Sequence, residues 1–210
     1  MNREDFIMRF EALKGAMLTF LRTHAIDDTH RARLVGDIVN TIEKAHLPAE
    51  PQAPRQLPGC RHLQAALALA RGGPMENLAR AFADLEPALR WIRTEHYREQ
   101  LGDEYMNNYC YTNILGYDAL IPHERIIIAF FIIGPGRHYP RHHHGAEEIY
   151  FPFGGDTLWG QNDQPPCLRP PGQPIHNTPW LPHEMVTQQT PLFSFCCWKS
   201  AGPLALARLT

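Results

Sequence analysis

Apolar residues return every three or four positions through the first part of the chain. Phe6, Phe10, Leu13, Met17 and Phe20 or Leu21 form one such stripe, the spacing of an amphipathic helix. A second stripe, Leu34, Ile38, Ile42 and Ala45, follows Asp28 or Thr29, either of which can cap it, and Pro48 ends it. The segment LPAEPQAPRQLPG is a proline-rich connection. Two or three more helices are predicted after it, in RHLQAALALA and around Leu85, Leu89, Trp91 and Ile92. From about Tyr109 the pattern changes. Short β-branched and aromatic runs alternate with Pro, Gly, Asn and Asp turns: RIIIAFFII, EEIYFPF, DTLWG, HEMVTQQ and LFSFCCWK. Strands this short and this regularly punctuated predict an all-β barrel or jelly roll, and no strand–helix–strand alternation points to a Rossmann-type sheet.

The expected organisation is therefore mainly β. A helical region, residues 1–105, packs on a barrel formed by residues 106–210. Composition narrows the classes of function. Apolar residues make up 44% of the 210 positions and charged residues 20%, as in soluble globular proteins. A net charge of −2 gives no sign of a nucleic-acid-binding surface. The charged start MNREDFIMRF lacks the apolar run of a signal peptide. The apolar run Ile126–Ile133 is eight residues, too short to span a bilayer, so a cytoplasmic protein is expected. The cysteines number five, include the adjacent pair Cys196-Cys197 and form no CxxC, which favours reduced thiols over disulfides.

Candidate chemistry is concentrated in GRHYPRHHHGAEEIYFPFGG, residues 136–155. His142 and His144 share one face if this stretch is a strand, His143 faces away, and Glu148 can return to the same side after the turn at Gly145-Ala146. Two imidazoles and a carboxylate can hold a divalent transition metal with bonds of about 2.0–2.2 Å. The stretch matches the first cupin motif, G-x5-H-x-H-x3-E-x6-G, at Gly136, His142, His144, Glu148 and Gly155. The second motif, G-x5-P-x-G-x2-H-x3-N, is degenerate. Started at Gly172 it places its histidine at His183, but Thr178, Trp180 and Thr187 stand where proline, glycine and asparagine belong. His176 is the alternative ligand and would need the motif glycine to be Pro165, so His183 is preferred.

The motif implies a cupin barrel, a double-stranded β-helix. The decoration YPxHHHxAEEIYF further resembles the cupin-type dimethylsulfoniopropionate (DMSP) lyases, especially the Q type, with the L, W, K and Y types more distant. The resemblance implies a metal held by His142, His144, Glu148 and His183. It implies a tyrosine close to the metal at Tyr150, a tyrosine base at Tyr139 and a pocket tryptophan at Trp198. The implied reaction is a β-elimination that releases dimethyl sulfide and acrylate. A base takes the proton α to the carboxylate, and a Lewis-acidic ion stabilises the charge that develops. Free tyrosine, with a pKa of about 10, needs a nearby cation to serve as that base. Tyr139 is the first choice and Tyr150 the second. Aromatic faces, Trp198 and then Trp159 and Tyr111, are candidates to hold the sulfonium.

Less specific roles stand beside these. Tyr150 or Trp198 can be plain core, Tyr139 a strand-end packing residue, and His143, His138 and His176 structural or rim residues. The ligand set does not distinguish Fe, Mn, Zn, Ni and Co, and it serves an Fe(II) oxygenase acting on another small carboxylate equally well. A non-enzymatic ligand-binding cupin is the third reading. A homodimer is compatible with barrels of this kind.

Overall fold

The structure is a computed structural model that describes residues 1–24, 29–48, 51–205 and 207–209. Helices α1 (Arg3–His24), α2 (Thr29–Lys44), α3 (Leu63–Ala68), α4 (Glu76–Leu85) and α5 (Arg98–Met106) come first. The strands follow: β1 (Tyr109–Gly116), β2 (Ala119–Pro122), β3 (Ile126–Ile133), β4 (His138–His143), β5 (Glu147–Pro152), β6 (Leu158–Gln161), β7 (Cys167–Leu168), β8 (Ile175–Asn177), β9 (His183–Val186), β10 (Leu192–Lys199) and β11 (Arg208–Leu209). They form a six-stranded sheet in the order β2-β1-β3-β10-β5-β8 and a five-stranded sheet in the order β11-β4-β9-β6-β7. The two sheets face each other as the cupin jelly roll, with the helices on the outer face of the larger one.

β3 explains why its sequence is apolar without interruption. Ile126, Ile128, Phe130 and Ile132 join the core shared with the helices, while Ile127, Phe131 and Ile133 face the barrel interior. A strand buried on both sides cannot alternate polar and apolar residues. The same parity runs through β10, where Phe193, Phe195 and Cys197 face the helices and Cys196 faces inward. In β5, Ile149 and Phe151 face out while Tyr150 faces in.

The helical layer is fastened by aromatic contacts. Phe20 of α1 meets the Phe151 ring edge-on at 5.1 Å. Phe82 of α4 packs on Phe130 at 4.3 Å and Phe193 at 5.1 Å. The apolar stripe of α1 and that of α2 thus share one core with the sheet, and burying each such side chain stabilises the fold by about 1.5–3 kcal/mol.

Several local expectations shift. Of the two capping candidates, Asp28 lies outside the described residues, and α2 starts at Thr29, whose side chain does too. α2 stops at Lys44, short of Pro48. The helix expected around Leu85–Ile92 ends at Leu85. A 3-10 turn at Glu86–Ala88 follows, and Arg90 and Ile92 then make β-bridges to Arg55 and Tyr111. Pro87 has no N–H to continue the α-helix, and the bridges bring this segment to the barrel edge. Among the described residues, no helix is long and apolar enough to cross a membrane.

Candidate metal centre and adjoining cavity

The site is assembled from three strands of the barrel and the loops between them. On β5 the two-residue period turns Glu148 and Tyr150 inward together. On β4 that period alone would put Tyr139 and His142 on opposite faces. Tyr139 pairs with Met185 and His142 with His183, so three steps along β4 match two along β9. This bulge turns both side chains to the same side. The Tyr139 and His142 rings stack at 4.1 Å with their planes 16° apart. His144 lies just beyond the end of β4 rather than on the expected strand, with its carbonyl accepting the Trp180 N–H at 2.8 Å.

Trp180 occupies the glycine place of the second motif and keeps a left-handed φ of +67°. The backbone there must turn to present His183, and a non-glycine residue in that conformation costs on the order of 1–3 kcal/mol. The motif is therefore degenerate in residue type, while the residue at its glycine place takes a left-handed backbone that favours glycine.

His144, Glu148 and His183 are buried, and one ligand atom of each lies within 4.8 Å of the others. Glu148 Oε2 is 3.1 Å from His144 Nε2 and 3.2 Å from His183 Nε2. The opposite nitrogens are committed elsewhere. Nδ1 of His144 is 2.9 Å from the Ala146 carbonyl, Nδ1 of His183 is 2.8 Å from that of Leu181, and Nδ1 of His142 is 2.8 Å from that of Pro140. A carbonyl only accepts, so each Nδ1 carries a proton, which leaves Nε2 to present its lone pair whenever the ring is neutral. Two lone pairs and a carboxylate oxygen then converge, and His183 Nε2 is buried without a hydrogen-bond partner. Such a convergence repels unless it shares a cation, either a proton on one imidazole or a metal ion bound by all three groups. The donor set fits a divalent transition metal, for which donor atoms about 3 Å apart follow from bonds of about 2.0–2.2 Å.

The carboxylate is held from behind. Its Oε2 also accepts Asn177 Nδ2 at 3.0 Å, and Gln161 Nε2 fixes Asn177 through Oδ1 at 2.7 Å. Its Oε1 accepts the Cys196 thiol at 3.2 Å and the Trp198 indole N–H. Such partners set the orientation of a ligand carboxylate. Burial alone would raise the Glu148 pKa, but in the metal-free site protonated His144 and His183, through charge and hydrogen bonding, outweigh it and hold the group well below the ordinary carboxylate range. His142 is displaced from the tight cluster. Its ring lies 4.0 Å from that of His183 and 6.4 Å from that of His144. Burial, then the neighbouring His183, pushes its pKa well below that of ordinary histidine.

A cavity of about 70 Å³ adjoins the cluster. Its walls include Tyr97, Tyr109, Tyr111, Tyr117, Tyr139 and Tyr150, together with Phe131, Cys196 and Trp198. No lysine or arginine is among the described residues that line it. Hydroxyl groups are linked across it. Tyr139 donates to Tyr97 at 3.3 Å, and Tyr97 donates to the Ala207 carbonyl at 3.1 Å. Thr94 bridges the Tyr109 and Tyr111 hydroxyls at 3.2 Å each, and Tyr111 reaches Tyr117 at 2.8 Å. Burial raises all these phenols. Tyr97 moves to about 12, and Tyr139 and Tyr150 go well above the ordinary value, Tyr150 also through the charge of Glu148.

The structure sorts the candidates. Trp198 lines the cavity and stacks on His144 at 3.9 Å, and Tyr111 lines it as well. Trp159 does not line it and packs behind Tyr150 at 5.2 Å. His176 points away from the cluster and pairs with Glu147 at 2.8 Å, so of the two second-motif candidates it is His183 that joins His144 beside Glu148. Sequence reading missed Tyr97, Thr94, Asn177 and Cys196. Only Cys196 carried a signal, since it shares parity with Trp198 on β10. The others come from segments whose approach depends on the tertiary fold.

The DMSP lyase family profile matches residues 30–194. The putative DMSP lyase DddL of Cereibacter sphaeroides is 33% identical over 160 residues, covering 76% of this chain and 66% of that protein. The DMSP lyase DddQ of Ruegeria pomeroyi is 24% identical over 119 residues, covering 57% of this chain and 59% of that protein. The chain thus spans less than two thirds of the length of either relative. Among solved structures, a chain from the DMSP lyases RdDddP and RnDddQII superposes with a TM-score of 0.77 at 19% identity, covering 98% of this chain and 99% of that one. DddQ from Ruegeria pomeroyi DSS-3 gives 0.66 at 21% identity over 95% and 96%. These likenesses extend over the helical layer as well as the barrel, and with a family profile matched across most of its length, the chain belongs to the DMSP lyase family.

Proposed function

We propose that this protein is a metal-dependent lyase that cleaves DMSP to dimethyl sulfide and acrylate by base-initiated β-elimination. The observation that carries this reading is the convergence of His144, Glu148 and His183 beside a cavity walled by tyrosines and Trp198 and free of basic side chains among the described residues that line it. A zwitterion with a cationic sulfonium and a carboxylate suits that arrangement. Aromatic faces attract the sulfonium by about 0.5–2 kcal/mol per ring, and a lysine or arginine there would repel it.

His144, Glu148 and His183, with His142 as a further ligand, would hold a divalent ion, which would supply Lewis acidity to the substrate carboxylate. Tyr139 removes the α proton at its hydroxyl oxygen, the C–S bond breaks, and dimethyl sulfide leaves with the bonding electrons. The buried phenol is protonated at rest, so it gives its proton to solvent before it acts as base, a loss that the sulfonium entering the cavity favours. Tyr97 orients the Tyr139 hydroxyl, and the apolar walls keep bulk water from the developing charge. Tyr150, beside Glu148, borders the reacting carboxylate.

The test is headspace detection of dimethyl sulfide from purified protein and DMSP, run with elemental analysis to read which of Fe, Mn, Zn, Ni or Co is bound. Metal-replete protein that releases no dimethyl sulfide would sink the proposal. Substrate-dependent oxygen uptake would replace it with the oxygenase reading.

A further inference from the structure

Cys60 and Cys110 sit away from the metal centre, on the helix-facing side of β1. Their sulfur atoms are 3.7 Å apart, although 50 positions separate them in the chain. The 3-10 turn that carries Cys60, Pro58–His62, lies tight against the strand. A Cβ added to Gly59 would fall 2.9 Å from the Cys110 sulfur and 3.2 Å from the Tyr109 backbone. Cys60 is half-buried and Cys110 is fully buried, so Cys60 is the more accessible residue of the pair. The remaining cysteines offer no competing pair. Cys196 and Cys197 are neighbours on opposite faces of β10, and Cys167 is exposed on β7.

We propose that Cys60 and Cys110 are an oxidation site that closes to a disulfide on exposure to a peroxide, clamping the helical layer to the strand that forms one wall of the cavity. The Cys60 sulfur attacks one oxygen of hydrogen peroxide, the O–O bond breaks, and hydroxide leaves to become water with the thiol proton. The Cys110 sulfur then attacks the Cys60 sulfenic acid, loses its own proton, and the hydroxyl leaves as a second water. Two thiols give up two electrons and the peroxide accepts them. Closure brings the two sulfurs from 3.7 Å to about 2.05 Å. The hydrogen bond between the thiols assists the first step, because the Cys110 partner pulls the Cys60 pKa below that of an ordinary thiol while that of Cys110 is pushed up. The residues flanking Cys110, Tyr109 and Tyr111, line the cavity on the other face of β1.

The experiment uses full-length protein carrying Cys167→Ser, which removes the exposed thiol. After reduction and then treatment with a few equivalents of hydrogen peroxide, non-reducing peptide mapping should find the peptides of Cys60 and Cys110 joined. Two of the remaining four thiols should be lost, the intact mass should fall by about 2 Da, and dithiothreitol should reverse the change. The melting temperature should rise by several degrees, because the link closes a long loop in the unfolded chain. Adding Cys60→Ser should abolish both effects. Should that variant not fold, mapping and melting of the Cys167→Ser protein decide alone. Cys60 driven to sulfinic acid beside a free Cys110, both thiols unmodified, or a linked protein that melts no higher would overturn the proposal.

Discussion

The ring of Tyr139 lies flat on that of His142, 4.1 Å between centroids, although the two residues are an odd number of steps apart on one strand. The β4 bulge opposite His183 makes this contact possible and brings the proposed base beside the metal cluster. Tyr139→Phe keeps the stacked ring and removes only the hydroxyl. Metal content should be unchanged while dimethyl sulfide production falls by about 10²–10⁴-fold. An unaltered rate would transfer the base role to Tyr150.

His183 and His176 separate the two ways of aligning the degenerate second motif. His183→Ala should abolish stoichiometric metal binding, read by elemental analysis after dialysis. His176→Ala should leave it intact, because His176 engages Glu147 on the other side of β5.

Asn177 holds the Glu148 oxygen that faces both histidines. Asn177→Ala should weaken metal affinity by about 10–100-fold in a competition titration with a chelating dye, with the barrel still folded by circular dichroism. Unchanged affinity would mean that Trp198 and Cys196 suffice to orient the carboxylate.

Acid should act on the metal-stripped protein in a defined direction. His142 titrates near 6.5 when unfolded and well below that when folded, and Glu148 near 4.5 and well below. In both cases the unfolded chain binds the proton more readily, so stability rises with pH. Stability is complete above about pH 6.5 and is lost as pH falls, first through the His142 interval and then below about 4.5 through that of Glu148. Melting temperatures of chelator-treated protein between pH 7.5 and 4 measure this. A flat profile would show that neither group is buried in its folded form as described. Metal release should accompany the same acidification, since ligating imidazoles must be neutral.

Phe82 joins α4 to the sheet through Phe130 and Phe193. Phe82→Ala should cost about 3–5 kcal/mol in chemical denaturation. A loss below about 1 kcal/mol would mean that the helices add little to the stability of the barrel.

Much of this was legible in the sequence because the signals are local. The three- and four-residue stripes of α1 and α2, the strand runs and the spacing from His142 to Glu148 depend only on backbone periods. Where those periods break, spacing alone does not give the structure. Pro87 stopped a helix that the apolar spacing continued, and the bulge on β4 put Tyr139 on the ligand side against simple alternation. Trp180 at the motif's glycine place hid a turn with a left-handed backbone.

What the sequence by itself determined is the set of chemically capable groups and the barrel that carries them, since ligand spacing and burial parity are properties of neighbouring residues. Tertiary structure decided which of those groups meet. It set His183 rather than His176 beside Glu148, kept Trp159 behind Tyr150, and brought Tyr97 and Thr94 from the helical half to the cavity. Such meetings are made by packing between segments far apart in the chain, where side-chain volume and the closing of the barrel, rather than any local period, fix the distance.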